Sequence, residues 1–198
     1  RGEGVAMPAP VGTRPCDAAE ALAALAREWA ELADAAAEPN AYAESWFVAA
    51  SLPAFAAGEV RLIEVRRGAR LIGLLPVTVE EDYARTPFRY VQNWRHDQMF
   101  LGTPLVSMGE EAAFWSAVLD LLDGADWAPN LFHIAGLAES GPLHRGLAAA
   151  ASAGGRRFAI VHRTSRALLE SGLTSDAFVE RHMRPKKRKE IRRLPSRL

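Results

Sequence analysis

Residues 60–79 read VRLIEVRRGARLIGLLPVTV. Two runs rich in β-branched and apolar residues, Val60–Val65 and Leu71–Val79, flank Arg67-Gly68-Ala69. A glycine there supplies the positive φ of a tight turn, so the pattern predicts an antiparallel hairpin. Both faces of each run are largely apolar, which places the two strands inside a sheet covered on two sides. Pro76 has no N–H to give to a ladder, so the second strand is expected to be bulged, or to lie at an edge, near its middle. A polar turn at Glu80–Thr86 leads to a further strand at Phe88–Gln92.

Upstream, the period changes to that of a helix. Residues 17–36 set Leu22, Leu25, Trp29 and Leu32 at three- and four-residue steps behind Asp17, a suitable N-cap, and predict one amphipathic helix. Pro39-Asn40 ends it, and Tyr42, Trp46, Phe47 and Leu52 predict a second, shorter helix whose aromatic groups face a core. Residues 1–16 are expected to be a disordered N-terminal segment.

Downstream, Ala112–Leu122 predicts a helix with Phe114, Trp115, Val118, Leu121 and Leu122 inward and Gly124 just beyond its end. Asn130–Leu137 reads as a strand, Pro142–Ala151 as a helix with Pro142 in its first turn, and Arg157–Val161 (RFAIV) as another strand. Helices alternating with strands after an initial helical block indicate an α/β fold, a mixed sheet with flanking helices and one antiparallel hairpin, over residues 17–170. A linker is expected at Glu170–Thr174, followed by a helical segment capped by Ser175, with Asp176 early and Arg181 and His182 late to suit the dipole. Pro185 should interrupt that segment and start a second, from about Lys186 to Leu194.

With 198 residues, 49% of them hydrophobic, the chain has material for one domain plus an appendage. A lone Cys16 excludes an intrachain disulfide, and no Cys/His grouping has metal-ligand spacing, so no metal is expected and a reducing cytoplasm is the simplest compartment. No run reaches the roughly 18–20 apolar residues of a membrane helix, and the opening RGEGVAMPAP lacks an apolar signal core. Formal charge sums to zero but is polarised: residues 1–180 hold 15 basic and 23 acidic side chains, residues 181–198 nine basic and one acidic. All three lysines, Lys186, Lys187 and Lys189, lie in that tail.

The most chemically mixed stretch of the body is Gln92–Phe100, QNWRHDQMF. His96 and Asp97 are of the types that form a base and its orienting carboxylate. Neighbours on a strand point to opposite faces, however, and a solvated loop explains both residues equally well, so no catalytic residue is assigned. Ser/His/Asp, HExxH, Walker and EF-hand patterns are lacking. In the tail, Lys186, Lys187 and Arg188 oppose the dipole of their helix by about 0.3–1 kcal/mol each, a penalty that a bound anion reverses. Phosphate groups, nucleic acid, an anionic membrane surface and the acidic body itself are the candidates. No aromatic residue is interleaved between Arg181 and Leu198 and no base-reading motif occurs, so specific nucleic-acid recognition is not expected.

The tryptophan-bearing helical start, the VRLIEVRRGARLIGLLPV hairpin, the FRYVQNWRHDQMFLGTPLV segment and the final KKRKEIRRL together resemble the CelD-like branch of the GNAT acyltransferases. These bacterial proteins are associated with cellulose or exopolysaccharide biosynthesis and are related to the FemABX peptidyltransferases. The resemblance implies two successive GNAT-like units with the basic helix near their join and acyl-CoA, such as acetyl-CoA, engaged mainly by the second. This chain would then be the first unit plus the joining helix (residues 171–198), with a C-terminal GNAT unit beyond Leu198. The implied activity is acyl transfer from an acyl-CoA to an amine or hydroxyl of a polysaccharide-related acceptor. In that scheme this half binds acceptor and scaffolds, and alone is inactive. Asn93, Trp94, Arg95 and Asp97 would touch the acceptor, and Lys186, Lys187, Arg188 and Arg192 an anion. The nearest match to a GNAT pyrophosphate loop, Leu143–Ala148, begins with leucine and lies inside a predicted helix, where its amides are committed; a close-packed glycine is the plainer reading of Gly146. The alternative is a non-catalytic interaction domain whose basic tail binds nucleic acid or a membrane surface.

Overall fold

In the computed structural model, which describes residues 9–167 and 171–193, the hairpin forms from β2 (Arg61–Arg67) and β3 (Arg70–Glu80), with Gly68 at φ 58° in the turn. Both its faces are buried. Ile63, Val65, Ile72, Leu75 and Val77 enter one core, and Leu62, Leu71 and Leu74 enter the other. The bulge lies at Ile72: Val65 pairs with Gly73 while the next residue, Arg66, pairs with Leu71. That extra residue lets Leu71 and Leu74, three apart, share a face.

Pro76 solves its missing donor differently. On the side away from β2, β3 pairs first with β5 (Leu105–Val106) through Gly73 and Leu74, and then with β4 (Tyr90–Asn93) through Val77–Glu80. Pro76 sits in the gap between these partners, and its carbonyl accepts from the Trp94 amide at 2.8 Å. The described sheet has six strands in the order β1–β2–β3–β4–β6, with β5 also on β3. Its edges are β1 (Val11–Asp17), antiparallel to β2, and β6 (Phe132–His133), parallel to β4.

Strand β1 corrects the expectation of disorder over residues 1–16, of which 1–8 lie outside the described residues. VGTRPCD carries no apolar stripe; the ladder holds it, with an Arg14–Glu64 ion pair at 2.7 Å. The predicted strands at 88–92 and 130–137 form only over Tyr90–Asn93 and Phe132–His133.

The single helix expected over 17–36 is two, α1 (Ala18–Ala24) and α2 (Ala26–Asp34), because Leu25 leaves helical geometry at φ −107°, ψ 8°. Asp17 caps the first, accepting from the Ala19 and Glu20 amides at 2.8 and 3.1 Å. With α3 (Ser45–Phe55) they supply Trp29, Leu32, Val48 and Leu52 to one core. The aromatic groups of α3 do not enter it; Trp46 is 60% exposed. On the opposite face, α4 (Glu111–Gly124) and α5 (Pro142–Ala153) contribute Phe114, Trp115, Val118, Leu122, Leu143 and Leu147, and the Trp115 indole donates to the Leu143 carbonyl at 2.8 Å.

The chain divides at Phe158/Ala159, not at 170/171. Arg157–Val161 joins no strand, contrary to its pattern. The second unit contains α6 (Ser175–His182), capped by Thr174 and not Ser175, and α7, which Pro185 opens and which runs to Arg193. Glu170 and Leu194 lie outside the described residues. Among those described, no helix is long and apolar enough to cross a membrane.

A Cβ added at Gly73 would lie 2.2 Å from the Phe114 ring, which packs on bare backbone. Gly73→Ala is therefore expected to lower the unfolding free energy by about 1–3 kcal/mol through overpacking. Urea denaturation monitored by tryptophan fluorescence measures this, and an unchanged midpoint would show that the ring is not held there.

Candidate functional site

Because β3 hands over from β4 to β5, residues 94–104 must leave the sheet and return, and most of the sequence-predicted contact residues lie in this excursion. Asn93, at its root, is 2% exposed. Its amide nitrogen donates to the carbonyls of Gly102 (2.9 Å) and Ala135 (3.0 Å), and its oxygen accepts from the Ala135 amide (2.9 Å). The β4–β6 ladder ends at the Gln92–His133 pair, so this side chain replaces the backbone bonds that would have continued it. Gly102 donates to the Gly136 carbonyl at 2.9 Å, and a Cβ on Gly102 would fall 1.9 Å from the Ala135 oxygen. The two strands are thus stitched together where they would otherwise part.

The four residues expected to touch an acceptor separate accordingly. Asn93 has its hydrogen-bonding capacity committed inside, and Trp94, 6% exposed, belongs to the core. Arg95 is half-buried and donates to the Met99 carbonyl at 2.8 Å. Only Asp97 is exposed. Nor do His96 and Asp97 form a base–carboxylate pair. His96 lies parallel to Phe55 at 4.0 Å and to Phe47 at 5.8 Å, and its Nδ1 accepts from the Gln98 amide at 3.3 Å. Burial pushes its pKa below the usual value; the charge of Asp97 opposes this.

Around His96 the aromatic groups continue outward as a shelf. Tyr42 meets Phe47 and Phe100 edge-on at 5.1 and 5.9 Å, and Trp46, Phe55 and Phe100 stand open to solvent. Asp97 and Gln98 border it, as does Glu44, whose carboxylate accepts from the Trp46 indole at 2.8 Å. Such a surface offers flat apolar faces beside hydrogen-bonding groups.

A second cluster escaped the sequence reading. Thr78, Glu80, Tyr90, Gln92 and His133 share a sheet face through the pairs Thr78–Gln92, Glu80–Tyr90 and Gln92–His133. Tyr83 joins them, its hydroxyl 3.4 Å from His133 Nδ1 and its ring 5.0 Å from that of Tyr90. Burial lowers the His133 pKa. Tyr83 is delivered by a turn with non-glycine residues in left-handed conformation, Ala84 (φ 50°) and Arg85 (φ 67°), which costs roughly 1–2 kcal/mol per residue. The alternation of residues 78–80 and 90–92 was visible; the arrival of His133 through a parallel pairing some forty residues on was not.

Residues 143–148 lie within α5, as their helical pattern required, and a Cβ on Gly146 would come 2.9 Å from that of Glu111. That glycine serves close helix packing. At the N-terminus of α5, where an anion would find free amides, the chain's own Glu38 carboxylate already accepts from the Leu143 amide at 3.1 Å. A Cβ on Gly141 would lie 2.0 Å from the same oxygen. These residues do not fit the phosphates of an acyl-CoA.

In the second unit, Lys187 pairs with Glu190 at 3.0 Å and Arg188 with Glu180 at 3.5 Å. Lys186 is exposed on the first turn of α7, and the Arg192 side chain lies outside the described residues. Among the described residues no group of three His, Cys, Asp or Glu side chains is placed to hold a metal. Comparison with protein-family models, curated proteins and solved structures finds no match.

Two predictions follow from this geometry. Glu38→Ala should destabilise the chain by about 0.5–2 kcal/mol, as loss of a helix cap does, and Glu38→Gln by less because an acceptor remains; equal losses would argue against the capping role. His96 and His133 both have lowered proton affinity when folded, so the unfolded state takes up more protons on acidification. Stability should hold at neutral pH and fall as pH drops below about 6.5. The double variant His96→Asn, His133→Gln should flatten that slope in urea titrations at stepped pH.

Proposed function

We propose that this chain is the acceptor-binding and scaffolding half of an acyl-CoA-dependent acyltransferase of the CelD-like type, working in the cytoplasm with a second GNAT-like unit. That unit would carry the acyl-CoA, with acetyl the simplest acyl group, and the acceptor would be an amine or hydroxyl on a polysaccharide-related molecule. The observation that carries this reading is Glu38 at the N-terminus of α5. With its own carboxylate there and Asn93 closing the strands beside it, the place suited to a phosphate-bearing cofactor is filled from within.

What remains open supports contact with an acceptor. The aromatic shelf carries Asp97 at its border, and the Tyr83–His133 cluster lies on the same side of β4 as Trp94. The contribution of such a half is positional: holding a hydroxyl or amine where a thioester is presented supplies rate without a nucleophile of its own. The exposed cations of α7 favour a second reading, an interaction module for anionic partners.

Calorimetry distinguishes them. Residues 1–198 titrated with acetyl-CoA are expected to give no stoichiometric heat, and tight binding would contradict the cofactor-free half. Salt-sensitive binding to random duplex DNA at about 50 mM salt would favour the interaction module instead.

A further inference from the structure

Glu59, Arg61, Val79 and Arg89 belong to one face of the sheet, opposite the face that carries Trp94 and the Tyr83–His133 cluster. Arg61 pairs with Val77 across β2 and β3, Val79 pairs with Val91 across β3 and β4, and Glu59 and Arg89 each lie two residues ahead of a member of that set. Together with Asp126 and Trp127, from the connection between α4 and β6, they line a cavity of about 350 Å³. Arg61 is held in that lining without a ligand. Its guanidinium lies 4.8 Å above the Trp127 ring and donates to Glu59 at 2.6 Å, and Trp127 packs in turn against the core of this face. A guanidinium has five N–H donors, so stacking and one hydrogen bond fix its plane and leave donors for a bound molecule. Arg89, exposed on another wall, gives its Nε to Glu81 at 3.2 Å.

We infer that this cavity binds a small apolar amino acid, with its carboxylate on Arg61 and Arg89 and its ammonium on Asp126. The lining carries two cations and two carboxylates, and that balance selects among ligands. An anion would meet Glu59 and Asp126, a plain cation would meet Arg61 and Arg89, and an uncharged molecule would take water from four charged groups without replacing it. A zwitterion satisfies both signs. Val79 and the Trp127 indole offer a surface to an apolar side chain, and the volume, at the lower end for small-molecule sites, confines the ligand to a small one. The site lies across the sheet from the surface assigned to the acceptor, so it stands or falls separately from that assignment.

Two-dimensional NMR of isotope-labelled residues 1–198 tests this, with L-leucine as the probe and N-acetyl-L-leucine and L-leucinamide as analogues that each lack one charge. L-Leucine should shift the Val79 amide and the Trp127 indole N–H and saturate in the millimolar range, and each analogue should bind about tenfold more weakly. Arg61→Gln should abolish the shifts, and Asp126→Asn should weaken binding about tenfold. Arg89→Gln, at an exposed position, should weaken it with an unchanged urea midpoint, which separates a lost contact from a lost fold. Absence of shifts at both reporters with L-leucine, or full binding by the Arg61→Gln chain, would overturn the proposal. Equal binding of N-acetyl-L-leucine would overturn it in favour of an anion site, and equal binding of L-leucinamide in favour of a site for amines.

Discussion

Strand β3 is shared, and the rest of the first unit is arranged around that sharing. Along one side it keeps β2; along the other it gives Gly73 and Leu74 to β5 and Val77–Glu80 to β4. A residue between two partners has nowhere to send an N–H, and Pro76, which has none, occupies that position. The chain connecting the two partners then has to cross the gap as the 94–104 excursion. Its root must be tied down, which Asn93 does with three hydrogen bonds, and its flank must be covered, which Trp94, His96 and the aromatic groups of α3 do. The shelf is therefore a consequence of strand order as much as of local sequence.

Charge holds together what the apolar pattern leaves loose. Glu64 is 3% exposed, in a strand whose other central residues are apolar, and it is satisfied by Arg14 of β1 and Arg66 of β2, the latter also bonded to Glu28 of α2. One carboxylate so placed ties the edge strand and a helix to the hairpin. Removing both arginines would leave it buried without compensation, a cost of about 3–5 kcal/mol, which is why such a network fixes arrangement more than it adds stability. Glu110 does the same at the turn, accepting from Arg67 and Arg70 just before α4, and the Arg67 guanidinium holds its pKa below the usual carboxylate range.

Elements with their own apolar period were legible: the hairpin, α4 and α5; the two tail helices were legible to within a residue or so from end residues, charge and Pro185. Those that live on their neighbours were not. β1 has no stripe, β5 is two residues long, β6 forms over only two residues of the strand read at 130–137, and the break at Leu25 interrupts a pattern that continues across it. Residues 157–161 fail in the opposite sense, since their propensity is clear and the sheet leaves them out. At the site, residue types in 92–100 were informative but their directions were not. An asparagine reads as a ligand contact from sequence, and only the end of a ladder beside it shows that backbone groups claim its amide first.

The same competition bears on where an anion can be held. A helix N-terminus attracts negative charge whether it comes from a ligand or from the chain, and at α5 Glu38 has the advantage of being covalently present. A phosphate arriving there must displace a carboxylate and enter a body with eight more acidic than basic side chains. Near-zero net charge therefore conceals two local environments. The first unit is unsuited to a polyanionic cofactor at α5, whereas α7 gathers basic side chains, of which Lys187 and Arg188 pair with Glu190 and Glu180. In the proposed two-unit arrangement, the phosphates of the acyl-CoA would therefore have to be held by the other unit.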